Sequence, residues 1–390
     1  MERLCSTLGW DEVIDQEGDD RCRHRLRMGP KGLSVRTKTN EEETMRRLAE
    51  LKGLSALGLA AIAAVGVTAC GSSSSSSSSS TDAKSVKVAM EMPGPINDKG
   101  FNASGYAGLM NCKKQGATTT FAEKVAAPDQ ERTMEQLAQN NNVVIGHGFE
   151  FGDPATKLAP KYPDVKFIIT SNPIPPKAKN QVNVMPNSTQ AAYLAGVAAG
   201  KATKTNKIGG IAGFDFPVLK SQMEALAAGA KSVNPNVTTK IVYLGTFDDV
   251  AKGKEAAQSM AASGIDVVYH IADAAGIGII NGAKAAGIKA IGWGYDQNAI
   301  APSTVIASQI VKTDEMIGNQ CKAVIAGTFE GGKVVVNGLK SGIVGLTKVY
   351  NEPADVQQAV DAATKAIEDG SATGVPEIAP GIPSTGPSSN

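Results

Sequence analysis

Short runs of β-branched residues alternate with amphipathic segments along most of this chain, and this alternation constrains its fold more than any other feature. In the first half, runs at 86–90, 143–145 and 166–170 are separated by segments with helical hydrophobic periodicity. The same alternation is repeated between residues 208 and 292. Strands that alternate with helices form parallel sheets with helices on both faces. The pattern predicts an α/β chain with two lobes, each a doubly wound, mainly parallel sheet flanked by helices.

The length of the folded part agrees with two lobes joined by hinge crossings. The chain is 42% hydrophobic, and residues 85–390 form a unit of the size that commonly divides in two. A first crossing is predicted near residues 183–190, and a strand at 304–311 is expected to return to the first lobe. The expected division is lobe 1 at 85–187 plus 304–335, lobe 2 at 188–303 plus 336–350, a C-terminal helix at 351–369, and a disordered Pro-, Gly- and Ser-rich tail at 370–390.

The N-terminal region has the features of an export signal. Basic residues at positions 46, 47 and 52 precede an apolar run at 54–67, which is too short to span a membrane. The run ends in Val-Thr-Ala-Cys, which resembles a bacterial lipobox with Cys70 as the lipidated residue. Nine serines at 72–80 follow and form a flexible tether.

This interpretation divides the region before the folded part into three segments. Residues 45–69 are the lipoprotein signal peptide, and residues 70–84 are the lipidated cysteine and its Ser-rich tether. Residues 1–44 lack sustained periodicity and are interpreted as upstream sequence read in frame, with a disordered cytoplasmic tail as the alternative. The mature protein is then expected outside the cell membrane, anchored by its lipid.

Two cysteines remain in the folded part, Cys112 and Cys321. An exported pair can form a disulfide, and with two candidates there is one possible pairing. The alternative is two buried free thiols, since both residues lie in predicted helices.

Aromatic and polar residues follow many of the predicted strands. In open α/β sheets, ligands bind outside the carboxyl ends of the strands. Only 5% of the chain is aromatic, so aromatic residues at these positions indicate a cleft that stacks a flat ligand and hydrogen-bonds its hydroxyl groups. The residues at predicted strand ends are Asn97, Asp98, Phe101, His147, Phe149, Ser171, Asn172, Phe214, Asp215, Phe247, Asp248, His270, Asp273, Trp293, Tyr295, Asp296 and Lys312.

Several of these residues lie in motifs that resemble a known family. Residues 95–102 read Pro-Ile-Asn-Asp-Lys-Gly-Phe-Asn, which is similar to the N-D-K-S-F-N-Q signature of the basic membrane protein family, the purine-nucleoside-receptor type of solute-binding lipoprotein. The resemblance covers roughly residues 84–347. It implies a type I periplasmic-binding-protein fold and delivery of a nucleoside, of the purine type, to an ABC permease. Further matching motifs lie at 145–150, 190–196, 245–255, 296–298 and 311–312.

The resemblance also implies roles for individual residues. Phe101 and Phe247 would sandwich a nucleobase, one from each lobe, and stacking of this kind contributes about 1 to 3 kcal/mol per base. Asp296 resembles the carboxylate that binds ribose hydroxyls, and Lys312 resembles the family's cleft lysine. His147 and Phe149 lie in a matching motif and are expected to face the cleft.

Asn97 and Asp98 have two possible roles. The resemblance makes them hydrogen-bonding partners of the base or the sugar. The alternative is an Asx turn that caps the first helix, and Asn97 could serve in both ways.

Two departures from the family pattern leave the substrate less defined than the fold. Gly294 stands where a carboxylate is common, and Asp273 stands where a small residue is more usual. A lost acid and a gained acid could compensate for each other, or could indicate another ligand.

Other functional classes have weak support in the sequence. Three histidines, one of them in the first 44 residues, and no Cys-x-x-Cys spacing argue against a multi-histidine or zinc site. The sequence contains no G-x-S-x-G motif, and a glycine cluster at 276–282 lacks the P-loop lysine. A net charge of +1 gives no indication of nucleic-acid binding. The predicted protein is therefore no enzyme, needs no cofactor, and captures its ligand as a monomer.

Two alternatives to nucleoside import stay open at this stage. A sugar or another small solute could occupy the same kind of cleft. A ligand-sensing lipoprotein could also use the same two lobes to bind a signalling partner, because transport and sensing both need only a hinge that closes on a ligand.

Overall fold

The computed structural model describes residues 85–379, Gly381 and Ser384. The predicted signal peptide, lipidated Cys70 and serine tether lie outside these residues. Within the described region, no helix is both long enough and apolar enough to cross a membrane.

Strands and helices alternate through the described region. The strands are β1 (Lys87–Glu91), β2 (Thr118–Ala122), β3 (Val143–His147), β4 (Lys166–Thr170), β5 (Gln181–Pro186), β6 (Lys207–Ala212), β7 (Thr238–Tyr243), β8 (Val267–Ile271), β9 (Lys289–Gly294), β10 (Val305–Val311), β11 (Lys333–Asn337) and β12 (Val344–Leu346). The helices are α1 (Phe101–Lys114), α2 (Gln130–Ala138), α3 (Gly152–Leu158), α4 (Ser188–Ala202), α5 (Pro217–Val233), α6 (Val250–Ala262), α7 (Asp273–Ala286), α8 (Thr313–Ile325) and α9 (Ala354–Asp369).

The strands form two six-stranded sheets. The first has the order β11-β5-β4-β3-β1-β2 and is parallel throughout. The second has the order β12-β10-β9-β8-β6-β7 and is parallel except for β12, which pairs antiparallel with β10. Each sheet is doubly wound, because its first strand lies inside the sheet and the chain winds outward on both sides. The predicted fold class is confirmed.

Burial on both faces explains the composition of the central strands. All five residues of β3 and all five of β8 are buried, and both strands are almost continuously apolar. Parallel strands covered by helices on both faces have this composition, whereas half-exposed strands alternate. Helix α4 is buried along nearly its whole length and packs mainly on α5. A Cβ atom at Gly196 of α4 would come within 2.1 Å of the backbone oxygen of Leu226, so this close helix contact requires glycine.

The chain crosses between the sheets at three places. It passes from β5 to α4 at Asn187, from β10 to α8 at Lys312, and from β11 to β12 through residues 338–343. These three crossings form the connection between the lobes.

One predicted lobe boundary is wrong. The strand at 304–311 was expected in the first lobe, but β10 pairs with β9 and completes the second sheet. The return to the first lobe occurs one element later, because α8 packs against α1 of the first lobe. A strand has the same local sequence pattern in either lobe. Only the pairing of β10 with its neighbours therefore shows which lobe contains it.

Cys112 of α1 and Cys321 of α8 are joined by a disulfide in the structure, with their Cα atoms 5.5 Å apart. The bond connects two helices of the same lobe that are far apart in sequence, with a separation of 209 positions between the two cysteines.

Three of the described residues after 370 are buried, which the expectation of a disordered tail does not account for. Ile378 and Ala379 have only 2% and 6% of their surface exposed, and Ser384 has 4%. The Pro- and Gly-rich composition prevents a helix or an internal strand, but an extended segment can still be held by the lobes it packs against.

Candidate ligand-binding cleft

A cleft with about 990 Å³ of empty space, open to solvent, lies where segments at the carboxyl ends of strands from both sheets face each other. The strand order reverses beside β1 in one sheet and beside β6 in the other, and open α/β sheets bind ligands at such points. The lining residues are Pro93, Phe101, Asn102, Gly148, Phe149, Glu150, Ser171, Met185, Pro186, Ser188, Thr189, Phe216, Val218, Leu219, Gln222, Phe247, Ile271, Asp273, Trp293, Val311, Thr313 and Ile378.

Four of the predicted ligand-binding residues line this cleft. They are Phe101 and Phe149 from the first lobe, and Phe247 and Asp273 from the second. The aromatic rings of both lobes therefore border one space, as expected for a site that stacks a planar ligand.

The aromatic wall of the second lobe is larger than predicted. Phe214 and Phe216 are stacked with their ring centroids 5.3 Å apart, and Phe214 lies 5.1 Å from Phe247. Phe216 also contacts Phe149 of the first lobe, edge to face at 5.5 Å. This last pair closes part of the cleft from both sides.

His147 supports Phe101 from behind and does not line the cleft. The two rings are stacked at 3.9 Å, and the histidine side chain is fully buried. Its Nε2 donates to the backbone oxygen of Phe101 at 2.9 Å, so Nδ1 accepts from the hydroxyl of Thr170, also at 2.9 Å. Burial lowers the pKa of His147 to about 4. The imidazole is therefore neutral at pH 7 and acts by positioning the aromatic ring.

Asp98 is occupied by the start of α1. One carboxylate oxygen accepts the backbone N–H groups of Gly100 and Ala103, and the other accepts the backbone and side-chain N–H groups of Asn102, at distances between 2.7 and 2.9 Å. These donors are free at a helix start and need acceptors. Asp98 thus has the capping role, while Asn97 is exposed and does not line the cleft.

Asp273 connects the two lobes across the cleft. It begins α7 in the second lobe, and its Oδ1 accepts the backbone N–H of Phe101 in the first lobe at 3.0 Å. Burial raises the pKa of Asp273 to about 7, and the charges of Asp98 and Asp248 add to this effect, while the bond from Phe101 opposes it. Its backbone φ is +40°, a strained value of the kind that concentrates at functional sites.

Asp296 and Lys312 are not among the residues that line the cleft. Asp296 is exposed and accepts hydrogen bonds from the backbone N–H of Asn298 and the hydroxyl of Tyr350. Lys312 forms an ion pair with Glu315 at 3.2 Å. Their assignment as ligand-binding residues stays a prediction from the resemblance.

Sequence reasoning missed several residues that line the cleft. Glu150 and Phe216 directly follow strand ends, so a wider reading of the strand-end rule would have included them. Trp293 was noted at a strand end but not assigned to the ligand. Gln222 and Ile378 had no local signal, because one is in the middle of a predicted helix and the other in the tail.

The ionisable groups of the cleft are acidic. Among the lining residues, these groups are Glu150 and Asp273, and none of the lining residues is basic. Burial raises the pKa of Glu150 as well. A ligand that brings a negative charge into this space would face unfavourable electrostatics without a cation to pair with. Elsewhere in the described residues, no group of three His, Cys, Asp or Glu side chains is placed to hold a metal ion.

Two doubly wound lobes, three crossings and a cleft lined from both sides define a fold of the periplasmic-binding-protein type. A family model described as "ABC transporter substrate-binding protein PnrA-like" (Bmp) matches residues 85–375. The chain therefore belongs to the Bmp family of ABC transporter substrate-binding proteins. Such a protein captures a small molecule outside the cytoplasm for a permease and is not an enzyme.

Known relatives agree with this assignment. The "ABC transporter nucleoside-binding protein BmpA" of Lactococcus lactis is 33% identical over 301 residues, which cover 71% of this chain and 85% of the relative. "Basic membrane protein D" of Borreliella burgdorferi is 31% identical over 298 residues, covering 72% of this chain and 86% of the relative. A solved solute-binding protein from Aeropyrum pernix has the same fold, with a TM-score of 0.67, 22% identity, and coverage of 73% of this chain and 92% of that one.

Proposed function

We propose that this protein captures a nucleoside, of the purine type, between its two lobes and delivers it to the permease of an ABC importer. The observation that supports this most is the pairing of aromatic rings from both lobes with two carboxyl groups and no basic residue in the cleft. Aromatic faces stack on a base, and carboxyl groups accept hydrogen bonds from ribose hydroxyls or base N–H groups.

The charge of the cleft favours a nucleoside over a nucleotide. A phosphate group carries negative charge and is normally bound by Arg, Lys or helix N-termini. No lining residue is Arg or Lys, and the ionisable lining residues, Glu150 and Asp273, are acidic, so a phosphate would have no side-chain cation to pair with. The relative from Lactococcus lactis is named a nucleoside-binding protein, which supports the same ligand class.

A thermal-shift screen of the full chain tests the ligand class. Ligands that bind the native state raise the apparent melting temperature. We expect stabilisation by purine nucleosides, little effect of the matching 5′-monophosphates, and no effect of free sugars. Stabilisation by sugars alone would contradict the nucleoside proposal and favour a sugar-binding function.

The aromatic wall gives a sharper test. Phe247→Ala removes one stacking surface, and we expect nucleoside affinity to fall about 5- to 150-fold, corresponding to roughly 1 to 3 kcal/mol. Isothermal titration measures this change. Phe121→Ala is the matched control, because Phe121 is 39% exposed and does not line the cleft. Equal affinities for the two variants would exclude Phe247 from the site.

The proposal includes attachment to the membrane through a lipid on Cys70, as the lipobox-like sequence predicts. We expect Cys70→Ser to move the protein from the membrane fraction to the soluble extracytoplasmic fraction without changing its ligand affinity. Cell fractionation followed by immunoblotting checks this. Unchanged membrane attachment in the variant would contradict the anchor.

A further inference from the structure

A residue of the C-terminal tail, Ile378, lies in the cleft. Residues 376–379 and Ser384, here called the tail segment, follow the family match, which ends at residue 375. The side chain of Ile378 lines the cleft with only 2% of its surface exposed. An apolar side chain from the tail segment thus occupies space between the lobes.

The tail segment is held at the crossing between the lobes. The backbone oxygen of Ser384 accepts two side-chain amides, Asn187 Nδ2 at 2.8 Å and Gln190 Nε2 at 2.6 Å. The hydroxyl of Ser384 donates to the backbone oxygen of Val375 at 3.1 Å. Asn187 lies at the first crossing, and Gln190 also accepts the backbone N–H of Leu339, next to the third crossing.

The two amide groups are built to receive a carbonyl group. With the tail segment in place, Asn187 and Gln190 are 3% and 8% exposed, so both amide donors are covered and depend on the Ser384 oxygen as acceptor. Buried donors that lose their acceptor are unfavourable. The side-chain oxygen of Asn187 is already used by Thr189, which fixes the amide with its N–H group toward the tail segment.

We propose that the tail segment is a third wall of the ligand cleft, added to the two lobes, and that Ile378 limits the size of the ligand that the cleft admits. The ligand class in this proposal rests on the proposed nucleoside function, whereas the docking of the tail segment does not. The attachment of the tail segment, through Ser384, is at the crossings between the lobes.

Proteolysis tests the docking without any ligand. Glutamyl endopeptidase cleaves after glutamate, and Glu377 is exposed while the following Ile378 is buried. In the full chain, we expect the peptide 378–390 to be released at least tenfold faster from Ile378→Ser than from the wild type. Ile174→Ser is the matched control, because Ile174 is 65% exposed and outside the cleft, and it should behave as the wild type. Equal release from all three proteins would overturn the docked tail.

Ligand size tests the wall itself. N6-benzyladenosine and 5′-methylthioadenosine carry extra bulk at opposite ends of the adenosine molecule. The affinity of each analogue is measured relative to that of adenosine. We expect at least one ratio to rise about tenfold in Ile378→Ser, and in a chain ending at Val375, relative to the wild type and Ile174→Ser. Unchanged ratios in both variants would overturn the wall. A protected tail in a protein that binds no nucleoside would contradict the proposed function and still support docking.

Discussion

The carboxyl group of Asp273 shows how two sequence departures can belong together. The family signature usually has serine where this chain has Gly100, and Asp273 replaces a small residue. In the structure, a Cβ atom at Gly100 would lie only 2.0 Å from Asp273 Oδ1. The glycine therefore makes room for the acid, which in turn accepts the N–H of Phe101. The hydrogen bond from Phe101 to Asp273 links the two lobes, and a serine in place of Gly100 would obstruct it.

The raised pKa of Asp273 predicts a pH-dependent stability. Its pKa rises from 3.8 to about 7 on folding, so the native state holds more protons than the unfolded state between these values. The unfolding free energy contributed by this group is therefore largest at low pH and falls as the pH rises from about 4 to 7. Asp273→Asn keeps the accepting oxygen but cannot ionise. We expect it to be more stable than the wild type at pH 8, by as much as roughly 4 kcal/mol, and similar at pH 4.

Urea unfolding at several pH values measures this difference. Subtracting the wild-type curve from the variant curve removes the contribution of every other titrating group. Asp215→Asn serves as the control, because the side chain of Asp215 is 71% exposed and no such divergence is expected. Parallel pH profiles for Asp273→Asn and the wild type would show that Asp273 does not titrate in this way.

At the scale of elements, α1 begins at an unusually well satisfied carboxylate. Asp98 accepts four hydrogen bonds at the start of this helix, whereas Asp249 accepts a single backbone N–H, from Lys252, at the start of α6. Because capping acids stabilise helices in proportion to the donors they satisfy, we expect Asp98→Ala to cost about 2 to 4 kcal/mol and Asp249→Ala about 1 kcal/mol. Denaturant unfolding of both variants provides the comparison. Equal losses would show that the additional bonds of Asp98 contribute nothing.

The two roles considered for residues 97 and 98 show what sequence could and could not decide at this scale. The strand-end rule placed Phe101 and Phe247 correctly at the cleft, because parallel strands direct all their carboxyl ends to one edge. The same rule could not separate a residue that faces the ligand from one that caps the following helix, since both follow a strand directly. The carboxylate of Asp98 faces the start of α1, because N–H groups lie within hydrogen-bonding distance of it there.

At the scale of the whole molecule, the sequence predicted two lobes but not the contacts between distant segments. The lobe that contains β10 depends on pairing with β9 and β12, and the position of Ser384 depends on an amide group almost 200 residues earlier in the chain. The hydrophobic periodicity of a segment does not show which distant segment it contacts. The disulfide between Cys112 and Cys321 was open for the same reason, because helix prediction alone does not show which helices are neighbours.

The lobes are in contact across the cleft in this structure, and one aromatic pair allows that closure to be tested. Phe149 and Phe216 come from different lobes and meet at 5.5 Å, so they interact only when the lobes are closed. An aromatic pair contributes about 0.5 to 1.5 kcal/mol beyond its buried area.

We expect Phe216→Ala to lower the closed-to-open ratio about 2- to 12-fold, which small-angle X-ray scattering would detect as a larger radius of gyration without ligand. A saturating nucleoside should return the variant to the closed dimensions, because ligand binding favours the state in which both walls are in contact with it. Phe121→Ala should leave the radius unchanged, and a closed Phe216→Ala protein would mean that Asp273 and the remaining contacts suffice to hold the lobes together.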